Sequence, residues 1–273
     1  MPNPILSDKS LKQIEEREPG WAAPDGTVRP QVDDTVSPWE PPKARTTLAT
    51  MTIGGTASAT VVLLVLLLIA AVVGWNATPT AANGEVQFPG WSIVGVLVGF
   101  GCVIGCYLKP NLAKILAPIY ALAQGVFLGA ISKAYESWQN GIVVQAIGAT
   151  LGVFAVMLFL YSSRILKVTD RMRRIIIGAT VGLMLFYLVS LVIQLFTHNV
   201  PFFQEPTMFG ILFSVGVVIL AAFNLALDFD IIERASKAGA PKQMEWVCAL
   251  GLVVTLVWLY LEILRLLSKL QSR

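Results

Sequence analysis

An all-α membrane protein with seven transmembrane helices is what this sequence predicts, and three observations predict it. The first is composition: 55% of the 273 residues are hydrophobic and 14% are charged, with a mean hydropathy of +0.69. A soluble domain carries about a quarter charged residues. The second is that the apolar residues gather into runs near the roughly 20 residues a helix needs to cross hydrocarbon. The third is that Lys and Arg collect in alternate loops. Barrel strands would be shorter and would alternate apolar with polar side chains, so helices are the spanning solution here.

The elements follow in order. Residues 1 to 46 include "REPGWAAPDGTVRPQVDDTVSPWEPPKAR". This stretch is Pro-rich and poor in aliphatic residues, so it predicts a disordered cytoplasmic tail. It is acidic and lacks a basic start, unlike a signal peptide. Trp21 and Trp39 in it read as incidental rather than as membrane or partner contacts. Residues 47–273 form the transmembrane domain. Its expected spans are Met51 to Trp75, Trp91 to Leu108, Ala113 to Ile131, Ile142 to Tyr161, Ile175 to Phe196, Met208 to Leu227 and Trp246 to Leu267.

Lys43 and Arg45 precede the first span, and Lys109 and Lys114 follow the second. Arg164, Lys167, Arg171, Arg173 and Arg174 follow the fourth, and Arg234, Lys237 and Lys242 follow the sixth. The intervening loops hold Glu85, Lys133 with Glu136, and His198 with Glu205. The positive-inside rule then puts the N-terminus in the cytoplasm and the C-terminus outside, in the plasma membrane. Arg265, Lys269 and Arg273 fall on the outer side against that rule, and the earlier helices are expected to override them.

Several chemistries are excluded. The single His198 and the absence of a GxSxG stretch leave no serine-hydrolase arrangement. Zinc would need several His or Cys ligands, and no Gly-rich phosphate loop is present. No cofactor and no enzymatic activity are expected, and a net charge of +3 does not suggest nucleic acid. Cys102, Cys106 and Cys248 lie within apolar spans and read as buried small side chains. Gly95 with Gly99, and Gly101 with Gly105, have the four-residue spacing of close helix packing in lipid. "TIGGTASAT" (Thr52 to Thr60) suggests a close-packed start to the first span.

The acids set the functional question. An ionisable side chain within a span is costly and points to function. Asp228 and Asp230 close the sixth span in "LALDFDIIE". Two residues apart, they point about 200° apart on a helix, so only one can face the bundle. Either both are solvated at the cytoplasmic interface, or Asp228 turns inward while Asp230 attracts cations at the mouth. Glu262 lies in "VWLYLEILRLL". Either it pairs with Arg265 at i, i+3, or it faces inward and shares a proton with Asp228, the two titrating as a unit. Ionised, such a pair offers hard oxygen ligands to Ca²⁺. Gln124 and Gln145, the other polar residues in spans, read as interhelical contacts or as part of a polar pathway.

"APIYALAQGVFLGAIS" (Ala117 to Ser132), "GIVVQAIGATLGVFAVMLF" (Gly141 to Phe159), "LALDFDIIE" and "LVWLYLEILRLL" resemble the Bax inhibitor family, in its bacterial YccA-like branch. The resemblance covers spans two to seven. It implies a central seventh helix wrapped by the other six, and an acidic pair that senses pH in a calcium leak. That pair would be Asp228 and Glu262. Here "LD" and "LYLE" stand where family members usually carry "YD" and "LYLD". Lys109 is nearest to the family's basic residue after the second helix. The linker "ERASKAGAPKQMEW" is long: a symmetric hairpin centred near Gly239 sets Glu262 roughly 15 Å beyond Asp228 at about 1.5 Å per residue.

Three functions remain open at this level. The first is a pH-sensitive leak channel for Ca²⁺ or another cation. The second is a regulator that binds a membrane protease or other partner, as the resemblance implies for some bacterial relatives. The third is a proton-coupled transporter. Membrane lipids are a partner of all three.

Overall fold

The computed structural model of the chain describes residues 50–80, 89–197 and 206–272. The tail expected at 1–46, and Glu85, His198, Glu205 and Arg273, lie outside the described residues. Seven α-helices run in order: α1 Ile53–Ala77, α2 Trp91–Leu108, α3 Ala113–Trp138, α4 Ile142–Ser162, α5 Asp170–Thr197, α6 Met208–Lys237 and α7 Met244–Gln271, with a 3-10 turn Pro110–Leu112 before α3. Each is long and apolar enough to cross a membrane, so the chain is an all-helical, multi-pass membrane protein.

The helices outrun the apolar runs that foretold them. α6 continues to Lys237 rather than stopping at Leu227, and α5 begins at Asp170 rather than Ile175. Glu, Lys and Arg are good helix formers. The α6 extension is further supported by the i, i+4 pairs Asp230–Arg234 and Glu233–Lys237. Hydropathy marks where a helix meets water, not where it ends.

α1 begins at Thr52, whose hydroxyl accepts from the Gly55 amide at 2.9 Å, an ordinary N-cap. It buries one stripe, Thr56, Ala59, Leu63, Leu67, Ala70 and Gly74, against α3. The crossing is close because both helices present small residues. A Cβ at Gly125 would stand 2.4 Å from the Leu67 carbonyl oxygen, and one at Gly129 2.0 Å from that of Ala71. Of the four glycines singled out in α2, Gly95 and Gly99 abut α3 and Gly105 touches Leu116, whereas Gly101 faces open space.

α7 is the central helix. It packs on α1, α3, α4 and α6 and buries 61% of its apolar window, against 6% for α5. α5 rests on α6 at the periphery. The exposed leucines, valines and isoleucines of α1, α2 and α5 would be a liability in water and are lipid-facing surface in a membrane. Cys102, Cys106 and Cys248 are free and buried.

α6 and α7 are joined by a tight hairpin. Gly239 takes φ +66, a left-handed conformation that glycine adopts without steric penalty. The Ala238, Gly239 and Ala240 amides close back onto Arg234, Ser236 and Ala235 carbonyls. The Met51 amide donates to the Ala240 carbonyl at 2.7 Å, so the start of α1 is tied to this turn. The hairpin end therefore also holds the start of α1, the α2–α3 junction and the α4–α5 loop.

Candidate functional site: the acidic face of the α6–α7 hairpin

Five carboxylates lie along α6 and α7, and their surroundings differ. Nearest the hairpin, Glu245 in the first turn of α7 is buried. Its Oε1 accepts from the Thr52 amide at 3.0 Å and the Thr52 hydroxyl at 3.1 Å. A Cβ on Gly55 would stand 2.1 Å from that oxygen, whereas Gly54 faces open space, so it is Gly55 whose lack of a side chain admits Glu245. The carboxylate lies at the positive end of α1, and it fastens α7 to α1.

Asp230 is also buried, at 7% exposure, yet it is fully paired. Arg234 Nε donates to it at 2.9 Å, and the Arg173 guanidinium at the start of α5 grips its other oxygen. Arg234 also approaches Asp170 at 4.0 Å. This corrects the expectation that Asp230 attracts cations at an open mouth: two guanidiniums already balance it, and it anchors α5 to α6. Next to it, Glu233 accepts from Tyr161 of α4 and from Lys237.

Asp228 is different. Its Oδ2 is buried with no hydrogen-bond partner, and among the described residues only Gln139 Oε1 shares that condition. The polar group facing it is Thr255 of α7, whose hydroxyl donates to the Gly251 carbonyl at 3.1 Å. Cys248, two turns back on α7, lies within reach of its charge. No cationic side chain pairs with Asp228 among the described residues.

Glu262 lies two turns beyond Thr255, about 10 Å along the axis, and its partners are others. Arg265 Nη1 donates to its two oxygens at 3.0 and 3.2 Å, and the Tyr187 hydroxyl of α5 at 3.1 Å. The Arg265 guanidinium lies 5.7 Å from the Tyr187 ring centroid. Of the two readings of Glu262, the i, i+3 pair with Arg265 is the one formed, and the structure does not join Glu262 to Asp228. The cause is the register the hairpin imposes: the turn at Gly239 sets Asp228 beside Thr255, short of Glu262.

Lys269, in the last turn of α7, is buried and donates to the Gly210 carbonyl at 3.1 Å and to Ser214 Oγ at 2.7 Å. Arg265 and Lys269 are thus bound within the bundle instead of lying free at the surface.

The remaining sequence candidates are dispersed. Gln124 is buried against Gly99, whose Cβ would stand 2.2 Å from the amide nitrogen. Gln145 is exposed and accepts from Gln271 at 2.9 Å, an α4–α7 contact. Lys109 is an exposed residue at the C-cap of α2 and is not part of the acidic face. Sequence reasoning missed Glu245, Thr255, Arg173, Tyr187 and Lys269. Glu245 and Arg173 lie in charged loop-like stretches, and Thr255 and Tyr187 are ordinary residues of apolar spans. Only the partner helix gives them meaning. Among the described residues, no three His, Cys, Asp or Glu side chains gather as a metal site would require.

Neither a curated protein nor a solved structure matches the chain. The family model described as Bax inhibitor 1 like matches residues 3–272, nearly the full length. The seven-helix bundle with its buried α7 agrees with the expectation drawn from "LALDFDIIE" and "LVWLYLEILRLL", and the chain belongs to the Bax inhibitor 1 like family of membrane proteins.

Proposed function

We propose that the protein is a passive, pH-sensitive cation leak in which Asp228 is the titrating group. The observation that carries this reading is the buried Asp228 oxygen that lacks a partner. A carboxylate held between two helices, with no side-chain cation beside it, is balanced only by a proton or by a passing cation. Protonated, it lets α6 and α7 stay closed; ionised, it favours a hydrated or cation-bound arrangement of the same helices. Ca²⁺ is the proposed ion, on family membership and on the preference of hard cations for carboxylate oxygen. One carboxylate falls short of a full Ca²⁺ shell, which takes about 6–8 oxygens, and this suits passage better than storage. Glu262 leaves the latch in this proposal, because Arg265 already balances it.

The proposed setting is the plasma membrane with the hairpin end in the cytoplasm. The basic residues Lys109, Lys114, Arg164, Lys167 and Arg171 lie at that end, and Arg265 and Lys269 at the other are bound internally. The opposing charges at the chain's end therefore weaken the positive-inside argument little.

The test is Ca²⁺ flux into liposomes from about pH 6 to 8, a window that brackets a buried carboxyl. Wild type is expected to vary with pH, Asp228→Asn to lose that variation and Glu262→Gln to keep it. Flux that varies with pH equally in Asp228→Asn would remove the proposal. A second reading, regulation of a membrane protease or other partner, is supported by the exposed Arg164 and Lys167 of the α4–α5 loop and Arg171 and Arg174 at the start of α5. Deleting residues 1–46 or neutralising that loop would abolish partner control and leave a leak intact. Proton uptake that requires a substrate would instead favour a proton-coupled transporter.

A further inference from the structure

The helix ends opposite the hairpin enclose a second feature. α1 and α4 do not pack on each other along their length. Between them lies a lateral groove of about 560 Å³, with α3 and α7 as its floor. Its walls include Leu68, Val72, Ile147 and Phe154. The size falls within the roughly 300–1,000 Å³ of ligand pockets. Its few polar groups each make a bond within the protein: Ser132 and Tyr260 hydroxyls bond each other at 2.6 Å, Thr150 donates to the Ala146 carbonyl at 2.7 Å and Asn76 to the Val72 carbonyl at 3.0 Å.

A cation lies near the same helix ends, outside the groove's lining. Lys133 follows Ser132 on α3, and its ammonium donates to the Thr78 carbonyl at 2.6 Å. Thr78 lies two residues past Asn76, which lines the groove. Lys133 forms no salt bridge among the described residues. The nearby Glu136 forms no salt bridge with it; that carboxylate accepts from the Gly141 and Val143 amides at the start of α4. Trp138, 74% exposed, and Trp75 mark the depth at which aromatic side chains meet headgroups.

We propose that this groove binds one glycerophospholipid of the leaflet opposite the hairpin, with an acyl chain between α1 and α4 and its phosphate at Lys133. The apolar walls match the chain, the ammonium matches the phosphate, and the lateral opening is where a lipid enters from the bilayer. A loosely held boundary lipid would show neither a preferred position nor dependence on Lys133.

The test uses the full-length protein in nanodiscs doped with a phosphatidylglycerol carrying a diazirine on its acyl chain. After irradiation, peptide mapping is expected to place label on the groove residues of α1 and α4 several-fold above the lipid-exposed residues of α5. In parallel, native mass spectrometry after exchange into detergent is expected to find one retained phospholipid in the wild type. Occupancy should fall several-fold in Thr150→Phe, which fills the groove, and in Lys133→Gln, which removes the cation. Leu68→Trp blocks the rim from a lipid-facing position, and it decides the matter if Thr150→Phe does not fold. Even labelling over all lipid-exposed helices, or retention unchanged in the folded variants, would overturn the site.

Discussion

Asp228 and Glu262 share a helix pair but do different things, and the difference lies in their neighbours. Glu262 has a guanidinium and a phenol, so its charge is held in place. Asp228 has a threonine and an oxygen without a partner. Replacing Glu262 by Gln leaves Arg265 without its counter-charge. Breaking a fully buried pair costs about 3–5 kcal/mol. Here Arg265 keeps 34% of its side chain exposed, so the expected loss is smaller, about 1–3 kcal/mol. Thermal unfolding in detergent should show the drop for Glu262→Gln, and the double variant Glu262→Gln/Arg265→Gln should recover part of it. A double variant as unstable as the sum of the singles would mean that the pair is not coupled. This stability effect is separate from the proposed pH response of the flux, which Glu262→Gln should keep.

At the scale of the helix, the packing of α1 on α3 rests on the absence of side chains. Gly129 approaches the Ala71 carbonyl so closely that even a methyl group, 2.0 Å from it, requires backbone movement. Gly129→Ala is expected to destabilise the protein by about 1–3 kcal/mol through overpacking. Gly148→Ala in α4, where nothing lies within 4 Å, should change stability by less than about 0.5 kcal/mol or raise it slightly. Melting temperatures of the two variants, taken side by side, check this. Equal shifts would mean that helix propensity rather than close approach governs these glycines. Both glycines were visible in the sequence, but only the crossing distinguishes them. Similarly, the motif "LALDFDIIE" announced acids at a helix end. It did not disclose that Asp230 is clamped by Arg173, 57 residues earlier and on another helix.

For the molecule as a whole, orientation follows from which charges are free. The basic loops gather at the hairpin end, and the opposite end presents Arg265 and Lys269 bound inside the bundle. Labelling with a membrane-impermeant thiol reagent reads this directly, since the three native cysteines are buried and give little background. Trp138→Cys is expected to label in intact cells, and Lys109→Cys only after the membrane is opened. The reverse pattern would invert the proposed topology.

Seven helices, the segment of each and membership of the family were all legible in the sequence. They follow from hydropathy over some 20 residues and from short motifs, which are local properties of the chain. The acids could be found in the same way, because a charge inside an apolar run is conspicuous. Their partners could not. Asp228 faces Thr255, Glu262 faces Tyr187 and Glu245 faces Thr52 only because the turn at Gly239 sets the register of α7 on α6 and the small residues of α1 let it lie close. Which carboxyl is paired and which has a buried oxygen without a partner is therefore decided by tertiary structure, because in a medium without water a charge is defined by what the neighbouring helix offers it.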